Sequence, residues 1–343
     1  MTLTFGMKDN QFLQTHDLKP LPAYLGEFPS LAKREMVAVY VKTYHPNEYC
    51  NFAQLSSQWY LSGHFRVDWM VFMISTKWFW QYALPIQQRQ LIVQLTKRQV
   101  LQRFKGSILG LAWVFITPIL MLSVYTFVFK SVLKAKWPGN EDANNIEFAL
   151  QIFSGLLVFN LFSEVLSRAS SLVVEQPNMV KKVIFPLPVL AWVNVLTAYI
   201  FAVVSLGVLV VAAYFMRLEL SIHILSLPFV FVLAFPMLLG LSWGLSALGV
   251  YLRDLAQIVT LVLTPLMFLS PIFYPSSSLP EAIQAIIWIN PLVLPIEAIR
   301  DAVMIGYWPD WLALILYLLV SFIVMVLGAA CFHKLKRGFA DVL

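Results

Sequence analysis

Apolar residues gather along this chain into six long runs, at about 108–130, 148–168, 184–215, 222–251, 255–275 and 311–333. Each is close to or above the ~20 residues that carry a helix across a ~30 Å hydrocarbon core at 1.5 Å per residue. The third and fourth are long enough to tilt or to carry interfacial turns. The fifth breaks at "SPIFYPSSSLPE" (Ser270–Glu281), where three prolines and a serine run forbid a straight helix. Two short apolar segments follow, around "EAIQAIIWIN" and "PIEAIRDAVMIGYW". They are too short to span and apolar enough to lie in an interface or dip back into the membrane. The pattern predicts an all-α polytopic membrane protein with six transmembrane helices and short external re-entrant helices between spans five and six.

Ahead of the first run the pattern changes character. In "QLTKRQVLQRFKG" the apolar Leu95, Val100, Leu101 and Phe104 alternate with Lys97, Arg98, Arg103 and Lys105. On a helix this spacing makes one apolar and one basic face, suited to the surface of a membrane leaflet. Trp78, Phe79, Trp80 and Tyr82 add interfacial aromatics upstream. The stretch 73–107 is therefore expected to be an N-terminal interfacial amphipathic helical segment, with Gly106 and Ser107 permitting the turn into the first span. Pro118 offers a kink within that span.

Composition agrees: 59% of the 343 residues are hydrophobic and 12% charged, against about a quarter charged in soluble domains. The net charge of +6 does not signal nucleic acid, because the cations form short clusters at the ends of apolar runs instead of one stripe. Eleven Lys and Arg residues flank one side of the six-span arrangement and five the other. The richer side includes both termini, which are expected in the cytoplasm with the spans in the inner membrane. Cys50 and Cys331 are too far apart in the chain, and in contexts too different, to imply a disulfide framework or a metal site. No basic stretch leads into an apolar core at the N-terminus, so no cleavable signal peptide is expected.

Residues 1–72 mix charged, aromatic, Pro and Asn residues without a spanning run. Two readings stand for them: a poorly ordered cytoplasmic extension, or upstream sequence translated from too early a start, the second being favoured.

Enzymatic chemistry finds little support. There is no GxxxxGK[ST] phosphate loop, GxSxG, HExxH or CxxC pair. His16, His45, His64, His223 and His333 are scattered, none with a ligand-spaced partner. A membrane-bound glycan-modifying enzyme is thereby disfavoured. Polar residues at membrane depth are more informative. Asn160, Glu164 and Arg168 recur every four residues and share a helix face, with Glu164 and Arg168 placed to pair. Such a pair is explained as well by structure as by contact with a cargo. Trp113, Tyr125, Phe127, Phe268, Phe273 and Tyr274 present aromatic faces, although membrane-belt roles are the commoner use. Glu297, Arg300 and Asp301 are placed to bond one another or a polar cargo. The longest internal cytoplasmic loop, "SRASSLVVEQPNMVKKVIFP" (Ser167–Pro186), is where any cytoplasmic partner would largely meet the chain.

Five stretches, in order, resemble one known family. They are "RQVLQRFKGSILGLAWVFITPILMLSVYTFVF", "FSGLLVFNLFSEVLSRASSLVVEQPNMVKKVIFP", "LGVYLRDLAQIVTLVLTPLMFLSPIFYP", "NPLVLPIEAIRDAV" and "KLKRGFADVL". Together they cover about residues 73–343 and are similar to ABC-2-type permeases that export O-antigen, capsule or teichoic acid. The resemblance implies a transmembrane domain over 108–343 that forms a homodimer around a central channel and exports a lipid-linked polysaccharide. It implies two copies of a separate cytoplasmic ATPase that bind ATP and Mg, and no cofactor in this chain. Glu175, Gln176, Pro177, Asn178, Lys181 and Lys182 would then form the ATPase-coupling loop. Arg98, Arg103, Phe104, Lys105 and Gly106 would form an interfacial, gate-adjacent helix. Glu297, Arg300 and Asp301 would lie in an external gate. Trp113, Tyr125, Phe127, Phe268, Phe273 and Tyr274 would line the channel and stack on sugars. An ABC-2 exporter of lipids or drugs and a proton-coupled flippase are the rival transport readings. The lack of a buried charge relay weighs against the flippase.

Overall fold

The computed structural model of the chain describes residues 76–132, 145–180, 185–215 and 222–342. The extension 1–72, the loop with Lys134, Lys136, Glu141 and Asp142, and Lys181, Lys182 and Arg217 fall outside these ranges. The described residues are helical and contain no strand. In chain order the helices are α1 (Thr76–Ala83), α2 (Arg89–Arg103), α3 (Trp113–Phe127), α4 (Asn145–Ala169), α5 (Pro177–Val180) and α6 (Val189–Phe215). They continue with α7 (Leu227–Tyr251), α8 (Leu255–Leu269), α9 (Glu281–Ile287), α10 (Val293–Arg300), α11 (Trp311–Leu335) and α12 (Phe339–Val342).

Among the described residues, five segments are long and apolar enough to cross a membrane: Gly110–Phe127, Glu147–Ala169, Val189–Phe215, Ile222–Tyr251 and Trp311–Gly338. The fifth predicted run, 255–275, is helical only over the 15 residues of α8. At 1.5 Å per residue that is about 22 Å, short of a ~30 Å core. The stop is chemical. Ser270 is extended at φ −93° and ψ 148°, as a residue preceding proline tends to be, and Pro271 cannot continue a helix. The third predicted run likewise becomes helical, as α6, at Val189 instead of 184 because Pro186 and Pro188 hold the approach open.

α4 is the hub. Of its most apolar window 78% is buried, against 11% for the first span; α3, α6, α7, α8 and α10 all pack on it. The tightest pairing is α7 with α11. A Cβ on Gly240 would sit 2.5 Å from the backbone of Met325 and Val324, and one on Gly328 would strike the Gly240 carbonyl. Lipid tails are as apolar as leucine, so helix association in a membrane depends on such close backbone approach and on buried polar links. Those links are present. Asn194 Nδ2 donates to Val165 O at 3.0 Å and to Ser242 Oγ at 3.3 Å. Tyr199 Oη donates to Phe231 O at 2.7 Å, and the fully buried Trp243 donates to Pro188 O at 3.1 Å.

α2 forms where the basic-apolar spacing predicts it, but its packed face differs in detail. Ile92 packs against Val189 and Val193 of α6, with Leu91 and Leu95 beside it. Thr96 is buried too, and Gln99 Oε1 accepts from Thr197 Oγ1 at 3.3 Å. Leu101, expected on the apolar face, is exposed, because it points away from α6.

Candidate functional site: an ion-paired cavity beneath the first span

A cavity of about 360 Å³ opens between α2, α3, α4 and α6. The join between α2 and the first span shapes it. Phe104 ends the helix, and Gly106 takes φ +87°, a left-handed conformation that side chains with a Cβ resist. The chain then turns, and Trp113 Nε1 donates to Ser107 Oγ at 2.9 Å, tying the start of α3 to the turn. The Phe104 and Phe201 rings meet edge to face at 6.0 Å.

Polar groups converge on one wall. Arg103 sends two bonds to Glu164, at 2.8 and 3.4 Å. Its guanidinium also lies 4.5 Å over the Phe201 ring. Glu164 is shared with Arg168, one helical turn on, at 3.5 Å. Asn160, Ser163 and Ser167 line the same space, with Trp113 opposite. One carboxylate thus holds two guanidiniums, one from α2 and one from α4. The spacing of Asn160, Glu164 and Arg168 marks the shared face in sequence. The third partner, Arg103, lies 61 residues away from Glu164, and no local pattern reveals it. Arg98 and Lys105 stay exposed on the outer side.

The other predicted groups are placed separately. Glu175 and Asn178 are exposed around the helical turn α5, and Gln176 O accepts from Met179 N at 3.0 Å. Phe127 and Phe268 are exposed, Trp113 partly so. Phe268 stacks on Phe273 at 5.8 Å and 26°, and Tyr274 Oη donates to Phe268 O at 3.0 Å. Tyr125 packs against the core instead. One aromatic group sits on α3 and the other on the end of α8 and the turn after it; both helices lean on α4 and turn apolar faces outward.

Of the two expectations for Glu297, Arg300 and Asp301, bonding to one another is the one the side chains display, and Arg300 is turned inward. It is 2% exposed. It pairs with Glu297 at 3.1 Å and donates to Pro271 O at 2.7 Å. Glu297 in turn accepts from Ser276 N at 3.0 Å. The pair therefore pins α10 to the turn after α8, and Ile272 of that turn is seated on Gly155 of the hub. Burial lowers the Arg300 pKa, while Glu297 and Asp301 oppose the shift. Asp301 is raised to about 6, chiefly by burial and then by the Glu297 charge, with Arg300 pulling it back.

This architecture has a counterpart among known proteins. The family model for ABC-2 type transporter matches residues 90–304, from α2 to just past α10. The chain belongs to the ABC-2 type transporter family. An O-antigen export system permease protein RfbA from Klebsiella pneumoniae is 28% identical over 255 residues, covering 74% of this chain and 95% of the relative. One from Myxococcus xanthus is 28% identical over 257 residues, covering 74% and 96%. A polysialic acid transport protein KpsM from Escherichia coli is 24% identical over 257 residues, covering 73% and 95%. Within the matched stretch fall α2 with its turn, the Glu164 cluster, the α5 turn and the Arg300 staple.

Proposed function

We propose that this chain is the transmembrane permease subunit of an ATP-driven exporter that moves a lipid-linked polysaccharide across the inner membrane. Family membership and the export roles named for the relatives support the class. The observation that carries the channel reading is the first span, only 11% buried although its flank bears Trp113 and Phe127. A second copy facing α3 and α8 would cover those faces and enclose a path lined with aromatic rings, which suit the apolar faces of sugars. On this reading α8 and the turn Ser270–Tyr274 together complete a sixth crossing, and both termini are cytoplasmic. The Glu175–Asn178 turn, with Glu175 and Asn178 exposed, then faces a cytoplasmic ATPase, one for each permease copy, so that two ATPase copies hold ATP and Mg. Arg103, Glu164 and Arg168 link the interfacial helix to the hub, so that movement at the cytoplasmic surface reaches the channel wall. Cysteines placed at Phe127 and at Phe268 test the pairing in membranes. Crosslinks between copies at these positions, and none at Leu319 on the far side, are expected. Crosslinking at Leu319 alone would reverse the assignment of faces.

A further inference from the structure

A second and larger cleft, of about 1000 Å³, lies away from the Glu164 cavity. Its walls are α1, the turn after it, the approach to α6 and the C-terminal end of α11. Tyr82 holds these parts together. Its carbonyl accepts from Trp192 Nε1 at 2.9 Å, and its hydroxyl lies 3.2 Å from His333 Nδ1. Lys336 Nζ sits 5.3 Å from its ring centre. The cleft is thus a built feature spanning three distant stretches of chain.

Its lining is chemically two-sided. Trp80, Leu84 and Ile86 line it and are all more than half exposed. Lys336 and Arg337 supply two cations, and among the described residues no carboxylate lines the cleft. A water-soluble anion would leave the apolar wall uncovered, and a neutral lipid would leave the cations unanswered. On the orientation proposed above, on which this inference rests, the cleft opens at the cytoplasmic leaflet, whose anionic lipids attract juxtamembrane cations. We infer that the cleft binds one anionic phospholipid, its phosphate at Lys336 and Arg337 and an acyl chain along Trp80, Leu84 and Ile86. The bound lipid would brace the interfacial helices against the C-terminal end of the bundle.

Native mass spectrometry of the full-length chain, titrated with phosphatidylglycerol or phosphatidylethanolamine, measures the preference. Brominated phosphatidylglycerol reports the site by quenching the cleft tryptophans, with Trp80→Phe and Trp192→Phe assigning the signal. Phosphatidylglycerol is expected to bind in preference. Removing both cations (Lys336→Gln with Arg337→Gln) should weaken it roughly tenfold or more, at about a kcal/mol per cation near a membrane surface. Arg337→Gln alone, which leaves the Lys336–Tyr82 contact intact, should give a smaller loss in the same direction. Arg253→Gln, removing an exposed cation elsewhere, should change nothing. Equal binding of both lipids, quenching that survives the double variant, or displacement by millimolar inorganic phosphate would each overturn the inference. So would loss of quenching when the partner ATPase is added, since the cleft would then be a protein seat. Absence of ATP-driven export would leave this binding measurable, so the two readings fail separately.

Discussion

Separating Arg103 from Glu164 should loosen α2 from α4 by an amount the geometry sets. Two charge-assisted bonds at 2.8 and 3.4 Å join them, worth about 4 kcal/mol of gross attraction at an effective dielectric near 20. The side chains are 42% and 26% exposed, so water screens much of this, as in exposed pairs worth roughly 0.2–1 kcal/mol. The two-pronged geometry and the Phe201 ring beneath Arg103 push the net coupling to about 1–1.5 kcal/mol. The single changes should be unequal. Arg103→Gln leaves Glu164 with Arg168, whereas Glu164→Gln leaves two guanidiniums facing a neutral amide. A double-mutant cycle on detergent-solubilised protein, read by thermal unfolding, resolves this at about 2 °C per kcal/mol. Glu164→Gln should cost more than Arg103→Gln, and the double variant should cost less than their sum by the coupling energy. Additivity within about 0.3–0.5 kcal/mol would mean that the contact links nothing.

Arg300→Met removes the buried guanidinium, leaves the partly exposed Glu297 carboxylate with Ser276 N, and frees the turn after α8; the loss, about 2–3 kcal/mol and below that of a fully buried pair, should appear as a clearly lowered melting temperature. Unchanged melting would exclude the staple role. Gly240→Val should separate α7 from α11 and abolish folding, whereas Gly207→Val, where an added Cβ meets nothing within 4 Å, should be tolerated; equal tolerance of both would refute the close crossing. Asp301 is raised to about 6, so its neutral form is favoured in the folded protein, and stability should fall as pH rises from about 4 to 6. Asp301→Asn should flatten that slope in melts across this range, and an unaltered slope would assign it to another group. Gly106→Ala meets no neighbour within 4 Å but is strained at φ +87°, costing about 1 kcal/mol; export should slow while the protein still assembles, and wild-type export rates would show that this turn does not move.

Much of the helix inventory was legible in the apolar runs, because a membrane demands long unbroken apolar stretches and leaves few alternatives. The turn at Gly106 was legible as well, since glycine beside serine at a polarity change marks a break. Ends were less so. The third run starts late because of Pro186 and Pro188, and the fifth stops at Leu269, where proline chemistry overrode hydropathy. The Glu164–Arg168 pair is local and follows from a one-turn spacing. Arg103 reaching Glu164, Gly240 meeting Gly328 and Arg300 turning inward to Pro271 are tertiary events between distant segments. Nothing in a single helix pattern encodes them. Arg300 also shows why charge at a membrane edge is ambiguous: spacing alone left mutual bonding and cargo contact equally open, and only the tertiary contacts reveal the Arg300–Glu297 brace.

The most direct measurement of the proposed role is transport in proteoliposomes containing this chain, its partner ATPase and a fluorescent lipid-linked glycan. Glycan should cross only with both proteins and hydrolysable ATP present. Glu175→Ala with Lys181→Ala should leave ATP hydrolysis running while transport falls. Vectorial transport by this chain alone, without any ATPase, would contradict the proposal outright.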